Sequence, residues 1–118
     1  MGGPMRAMRL TIDGRDLAPV LVADTYWSRL RGMLARRPLP PALLLRPSSS
    51  VHGVGMREPL DVATLGADGT VLAVRVLKPF GLVPPVRGAV DVLEAPVGSF
   101  DRWGLVVGSR VATDDDLS

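Results

Sequence analysis

Three polar side chains stand in apolar surroundings, where either chemistry or a strict structural role is expected. His52 is the only histidine of the chain. Asp61 interrupts the apolar run Leu60–Leu65, and Glu94, one of two glutamates, closes an apolar run that begins at Val90. A polar group in such a position is costly unless it is hydrogen-bonded or faces a cleft. These three residues are therefore the first candidates for a functional site.

Two kinds of chemistry fit these residues. The His52 imidazole could act as a general base if the Asp61 carboxylate lay within hydrogen-bonding reach and oriented it. Alternatively, a cleft that also contains arginine guanidinium groups could bind a carboxylate or phosphate through paired hydrogen bonds. The candidate ligand-binding residues are Arg31, His52, Met56, Asp61, Arg87 and Glu94.

The spacing of a histidine and a methionine suggests metal binding as a third kind of chemistry. His52 and Met56 stand four residues apart and could offer an imidazole and a thioether to a soft ion such as Cu(I). Further ligands would have to come from the carboxylates of Asp61 or Glu94, which suit harder metals. The chain has no cysteine, which excludes thiolate metal sites, disulfides and cysteine nucleophiles. We expect no metal and no cofactor.

Short strands are the elements that must position these side chains. The clearest hairpin joins Leu60–Leu65 to Val71–Val76 through a turn around Asp68-Gly69. Side chains alternate between the two faces of a strand, so Val62 and Thr64 are predicted to share one face. The residues that follow each of them are predicted to lie on the other face.

One amphipathic helix is predicted at about Tyr26 to Ala35. Trp27, Leu30 and Leu34 recur there at three- and four-residue spacing, and Pro38 ends the pattern. The helix has an apolar stripe, and we expect that stripe to pack on a sheet.

Many short strands with one substantial helix indicate a mainly β fold that borders on the α+β class. The expected architecture is a compact antiparallel β-sandwich or barrel-like domain with one amphipathic helix packed on it. Residues 1–113 are predicted to form a single domain, and residues 114–118 an acidic disordered tail. Near the end of the domain, Ser99 is expected to cap a helical turn that Gly104 ends.

Composition narrows the range of partners. Aromatic residues make up only 4% of the chain, too few for a platform that stacks single-stranded bases. The formal net charge is +2 and the arginines are scattered, so we expect no nucleic-acid partner. No apolar stretch approaches the ~20 residues of a membrane-spanning helix, and the first residues lack the apolar segment of a signal peptide. A cytoplasmic location is expected.

Five segments, in order and at fitting spacings, match the pattern of one known family and span about four-fifths of the chain, from about Val20 to Val111. They are Arg29-Leu-Arg-Gly-Met-Leu34, Val51-His-Gly-Val-Gly-Met-Arg-Glu-Pro-Leu-Asp61, Leu65-Gly-Ala-Asp-Gly-Thr-Val71, Val92-Leu-Glu-Ala-Pro-Val-Gly98 and Trp103-Gly-Leu-Val-Val-Gly108. Together they resemble the bacterial and archaeal domain of unknown function 192 (DUF192) family. The resemblance implies a compact, largely antiparallel β fold with a helix packed on it, and it implies no activity.

The chain departs from the family pattern at a few positions. Gly53-Val54 stands where the pattern has a threonine and phenylalanine pair, and Ala35 and Glu58 each replace an aromatic residue. If those aromatic side chains line a pocket in other members, the pocket of this chain is altered.

The favoured function is a non-catalytic module that binds a small polar or anionic ligand, because no complete catalytic motif is present. One alternative is a scaffold that binds a protein partner through its proline loops and exposed sheet edges. The other alternative is an enzyme that uses His52 as a general base oriented by Asp61. In all three cases we predict that Asp61 is buried and accepts hydrogen bonds from backbone amides or from Arg57, Arg31 or His52.

Overall fold

The computed structural model describes residues 6–23, 41–48, 51–52, 58–79 and 81–114. Within these ranges the chain consists of short strands and one short helix. In chain order, the elements are β1 (Arg6–Ile12), β2 (Arg15–Ala23), β3 (Leu43–Leu45), β4 (Val51–His52), β5 (Leu60–Leu65), β6 (Val71–Leu77), β7 (Leu82–Val83), β8 (Asp91–Pro96), α1 (Ser99–Trp103) and β9 (Val111–Thr113).

Seven of these strands form one open sheet in the order β6-β5-β8-β3-β2-β1-β9, and β4 pairs separately with β7. Neighbouring strands are antiparallel except β2 and β3, which are parallel. The mainly β class is thus confirmed, and so is the largely antiparallel pairing. The parallel pair was not predicted, although the helix predicted between β2 and β3 is the usual kind of connection between parallel strands.

The two edges of the sheet meet at one end. The residues that precede β6 and β9 form an antiparallel bridge between Thr70 and Arg110. The amide of Val71 donates to the carbonyl of Ser109 at 2.8 Å, and the amide of Val111 donates to the carbonyl of Gly69 at 2.9 Å. The sheet is therefore curled, with its edges joined at this end, which gives it a partly barrel-like form.

Both faces of the sheet carry buried apolar side chains. One face, which we call the helix face, packs against Phe100 of α1, and the other, the hairpin face, packs against Val83 of β7. Buried residues of the helix face include Leu10, Val22, Leu44, Ala63, Leu65, Leu93 and Ala95. Buried residues of the hairpin face are Leu43, Leu45, Leu60, Val62, Leu77 and Val92, together with Val83 of β7. β5 and β8 are buried on both sides, which agrees with the mainly apolar sequences of these two strands.

The predicted hairpin is confirmed as β5 and β6, and its alternation is as expected. Val62 packs on the hairpin face, whereas Ala63 and Leu65 pack on the helix face. Thr64 lies opposite Val92 and so shares the hairpin face with Val62. The predicted helix at 26–35 and residues 115–118 of the predicted tail lie outside the described residues.

Two local predictions are corrected. Glu94 does not close a strand but lies inside β8, which continues to Pro96. Ser99 does not cap α1, because the N-cap is Gly98 with φ 97° and the Ser99 hydroxyl instead accepts a hydrogen bond from Arg102 at 3.1 Å. A glycine tolerates this left-handed conformation but has no side chain to cap the helix. Gly104 ends the helix as predicted.

Closure of the sheet edges depends on Gly69, and this gives a first testable prediction. Gly69 has φ 85°, and a Cβ atom there would lie 2.2 Å from the carbonyl oxygen of Val111. Gly108 has φ 96° but has no atom within 4 Å of such a Cβ. Alanine at either position carries the cost of a positive φ, about 1–2 kcal/mol, but only Gly69→Ala also forces the edges apart.

We expect Gly69→Ala to lower the free energy of unfolding by about 1–2 kcal/mol more than Gly108→Ala does. Urea titrations of the two variants measure this difference. Equal losses would show that the joined edges contribute nothing to stability.

Candidate functional site

Glu94 lies in the centre of the sheet rather than at its rim. It stands directly opposite Val62 of β5 on one side and Leu43 of β3 on the other. Directly opposed residues of antiparallel strands project from the same face, so Glu94 belongs to the hairpin face. Its side chain is 1% exposed, like the two apolar residues that flank it. The sheet therefore holds a carboxyl group within one of its two apolar clusters.

Neither carboxyl oxygen of Glu94 has a hydrogen-bond partner among the described residues. The same is true of the hydroxyl of Thr64, which is 1% exposed. Thr64 lies opposite Val92, two residues before Glu94, and such diagonal neighbours have Cα atoms about 7–8 Å apart. Unsatisfied buried polar atoms are rare in folded proteins. In the part of the chain that the structure describes, all three such side-chain atoms lie on one face of two adjacent strands.

Burial raises the pKa of Glu94 from 4.5 to about 8. Burial removes the carboxyl group from water, which disfavours its charged form, and this is the cause of the shift. Glu94 is therefore mostly protonated at neutral pH. A protonated carboxyl can both donate and accept a hydrogen bond, and together with the Thr64 hydroxyl it forms a small polar group within an apolar surface.

The raised pKa predicts how stability depends on pH. Below pH 4.5, Glu94 is protonated in both the folded and the unfolded state. Between 4.5 and about 8, the unfolded chain loses this proton while the folded chain keeps it, so stability falls as pH rises. Above about 8 the contribution is constant. The slope in this window reaches at most ~1.4 kcal/mol per pH unit, the value for one proton.

Urea titrations from pH 5 to pH 8 of the wild type and of Glu94→Gln measure this contribution as a difference. The difference isolates Glu94, because other carboxyl groups contribute equally to both proteins. We expect the variant to gain stability relative to the wild type as pH rises. A constant difference across this range would contradict the raised pKa.

Asp61 is buried and bonded to backbone amides, as predicted. It is 7% exposed, and its Oδ2 accepts from the amide of Gly98 at 3.0 Å and from that of Phe100 at 3.1 Å. Phe100 is the second residue of α1, and its amide is one that an N-cap side chain normally satisfies. Because the N-cap residue, Gly98, has no side chain, the Asp61 carboxylate of β5 accepts these hydrogen bonds in its place.

Asp61 and Glu94 lie on opposite faces of the sheet. Asp61 lies opposite Ala95 of β8, which belongs to the helix face. Glu94 is the residue before Ala95 on the same strand and therefore lies on the hairpin face. The structure therefore does not bring these two carboxyl groups together, and a cleft edged by both is not formed.

The other predicted site residues are placed only in part. His52 is in β4 opposite Leu82, but the side chain of His52 is not among those described. Arg87 lies exposed in the turn before β8. Arg31 and Met56 are outside the described residues, as are the altered positions Ala35, Gly53 and Val54, whereas Glu58 is exposed.

Thr64 is not among the site residues predicted from the sequence, although the alternation of β5 predicts that it shares a face with Val62. A threonine on an otherwise apolar face of a fully buried strand is the signal that could have identified it.

Within the described ranges, no group of three or more histidine, aspartate and glutamate side chains is arranged to hold a metal ion. The same part of the chain has no helix that is long and apolar enough to cross a membrane.

Comparison with known sequences gives one consistent result. The model of the DUF192 family, described as Uncharacterized ACR, matches residues 8–113. A UPF0127 protein of Pyrococcus furiosus is 33% identical over 97 residues, which are 78% of this chain and 84% of the relative. A UPF0127 protein of Pyrococcus abyssi is 30% identical over 97 residues, covering 78% of this chain and 83% of the relative.

Solved structures share the fold. The crystal structure of a candidate transcription regulator from Sinorhizobium meliloti 1021 has a TM-score of 0.78 at 23% identity, covering 96% of this chain and 98% of that chain. A protein of unknown function from Novosphingobium aromaticivorans has a TM-score of 0.73 at 19% identity, covering 92% and 84%. At these identities the similarity concerns the fold alone.

Proposed function

Because this chain belongs to the uncharacterised DUF192 family, we propose a function from its site alone: a non-catalytic module that binds a small polar ligand at Glu94 and Thr64. One observation carries the proposal. Three buried oxygen atoms, the two of the Glu94 carboxyl and the hydroxyl of Thr64, lack partners among the described residues and lie on the same face. A ligand that bonds to these atoms would supply the hydrogen bonds that the described part of the chain does not.

The cost of leaving these groups unpaired supports a functional role. Burial of a polar group without a partner costs about 1–3 kcal/mol in proteins, and an apolar side chain in the same place would avoid it. Proteins retain such unfavourable groups mainly at functional sites. The described residues that flank Glu94 and Thr64 on this face are apolar and mostly buried, so the fold itself has no use for the polarity of these two groups.

The environment of Asp61 supports binding rather than catalysis. The enzyme alternative requires Asp61 to orient His52, but Oδ2 of Asp61 accepts bonds from two amides at the start of α1. This carboxylate has a structural task on the helix face. A general base oriented by Asp61 is therefore the less supported hypothesis.

The scaffold alternative rests on apolar residues at the surface. Val106 and Val107 are each 61% exposed in the turn after α1. Two adjacent valines make a small apolar surface, and nothing about them identifies a partner protein. The Glu94 site is the better supported one. A cytoplasmic location and the lack of a nucleic-acid partner stay predictions.

A fragment screen by NMR tests the proposal. The panel consists of small amines, amides, alcohols, sugars and carboxylates, added to ¹⁵N-labelled protein. We expect at least one class to shift the amide signals of β5 and β8 in the wild type, and this shift to be lost in Glu94→Leu and Thr64→Val. The matched control is Glu58→Gln, which changes the other, exposed glutamate and should bind like the wild type. A panel in which no class shifts these strands would overturn the proposed function.

A further inference from the structure

We infer that the Glu94 site receives a cationic nitrogen group, a guanidinium or ammonium group of a small molecule. This inference rests on the proposed function and specifies the class of its ligand. It differs from the anionic ligand that the arginines of the sequence favoured. On the hairpin face the described residues offer three unpaired oxygen atoms, and two of them belong to a carboxyl group that lies between the apolar side chains of Val62 and Leu43.

The described residues that flank Glu94 on this face are apolar. Val62 of β5 and Leu43 of β3 flank it, Val92 precedes it on β8, and Val83 of β7 belongs to the same cluster. None of these side chains can donate a hydrogen bond or neutralise a charge. A ligand that reaches Glu94 here must supply the donors itself.

Charged and titratable groups near this face are few in the described part of the chain. Arg75 of β6 lies opposite Val62 and so shares the hairpin face, but β5 separates it from Glu94 and it is exposed to solvent. In the separate two-stranded sheet of β4 and β7, His52 pairs with Leu82, and the side chain of His52 is not among those described. No guanidinium of the described strands therefore stands beside Glu94 to attract an anion, and an anion would be repelled by an ionised carboxylate.

A cation changes the protonation of Glu94. Because an adjacent positive charge favours the carboxylate, the O–H bond of the protonated carboxyl breaks on binding and the proton passes to the solvent. Burial raises the pKa of the free site to about 8, so binding below that pH requires this proton to leave. Affinity for a permanent cation should then rise about tenfold for each pH unit up to that value. A neutral ligand would not show this rise.

Three small molecules of similar shape test the charge of the ligand. Methylguanidinium is a cation that keeps its charge throughout the range, N-methylurea is its neutral counterpart, and acetate is an anion. Each is titrated into ¹⁵N-labelled protein at pH 6 and pH 7, and the shifts of β5 and β8 give the affinity. A fragment of this size binds weakly, so concentrations up to about 50 mM are needed.

We expect methylguanidinium to bind at least about tenfold more tightly than N-methylurea and acetate, and about tenfold more tightly at pH 7 than at pH 6. Glu94→Gln should lose both the binding and its pH dependence, while Glu58→Gln should keep them. Preference for N-methylurea or acetate, or affinity independent of pH, would overturn the cationic ligand but leave the binding function standing. If none of the three shifts β5 and β8, the cationic ligand is rejected, and the wider panel then decides the binding function separately.

Discussion

Glu94→Leu is expected to stabilise the protein by about 2–4 kcal/mol at pH 7. In the wild type, folding transfers a carboxyl that is ionised in the unfolded chain into a site where burial raises its pKa to about 8. Proton uptake at pH 7 and the loss of hydrogen bonds to water both oppose folding. Leucine removes both costs, and its side chain suits a site that is flanked by Val62 and Leu43. Urea titrations of the two proteins measure the gain.

Two comparisons make the result specific. Glu94→Gln should show a smaller gain, because the amide does not titrate but is still polar and unpaired. Glu58→Leu, at an exposed glutamate, should change stability by less than about 0.5 kcal/mol. A loss of stability in Glu94→Leu would mean that Glu94 holds the fold together, and the binding proposal would lose its basis.

Asp61→Ala is expected to destabilise the protein by about 1–3 kcal/mol. The substitution leaves two amides, those of Gly98 and Phe100, without the acceptor that they share at 3.0 and 3.1 Å. These amides begin α1, whose Phe100 is 4% exposed and belongs to the helix-face core. The loss of the cap thus weakens the attachment of a core aromatic residue. The free energy of unfolding in urea is the quantity to compare.

Asp61→Asn should cost less, about 1 kcal/mol, since the amide oxygen can still accept both hydrogen bonds. Asp101→Ala, at an exposed position of α1, serves as the control and should change stability by less than about 0.5 kcal/mol. If Asp61→Ala were as stable as the wild type, the capping role would be wrong. If Asp61→Asn folded normally but abolished fragment binding, Asp61 would belong to the binding site.

The sequence was sufficient for the local part of the fold. The alternation in Leu60–Leu65 and the turn at Asp68-Gly69 predicted the hairpin and the face of each of its residues, because both depend on residues close in the chain. The burial of Asp61 followed from its place in an apolar run. Its amide partners could not be predicted, because they lie at the start of α1, 37 and 39 residues further along the chain.

Which residues share the site depends on the pairing of strands that are far apart in the sequence. Whether Asp61 and Glu94 share a face is set by the register of β5 against β8, in which Asp61 pairs with Ala95 and Val62 with Glu94. A shift of one residue would bring both carboxyl groups to the same face. Nothing in either segment alone specifies this register, so a cleft with both acids was as compatible with the sequence as the observed separation. The same pairing brings Thr64 close to Glu94.

The most direct test of the central claim is a titration of the Glu94 side-chain carboxyl carbon by ¹³C NMR. A buried carboxyl without a charged partner should titrate with a pKa raised to about 8, and methylguanidinium should lower that value. A pKa at or below the ordinary 4.5 in the free protein would contradict the account. A value below 4.5 would show that a cation of the chain itself already holds the carboxylate, and the ordinary value would show that the carboxyl is solvated rather than buried.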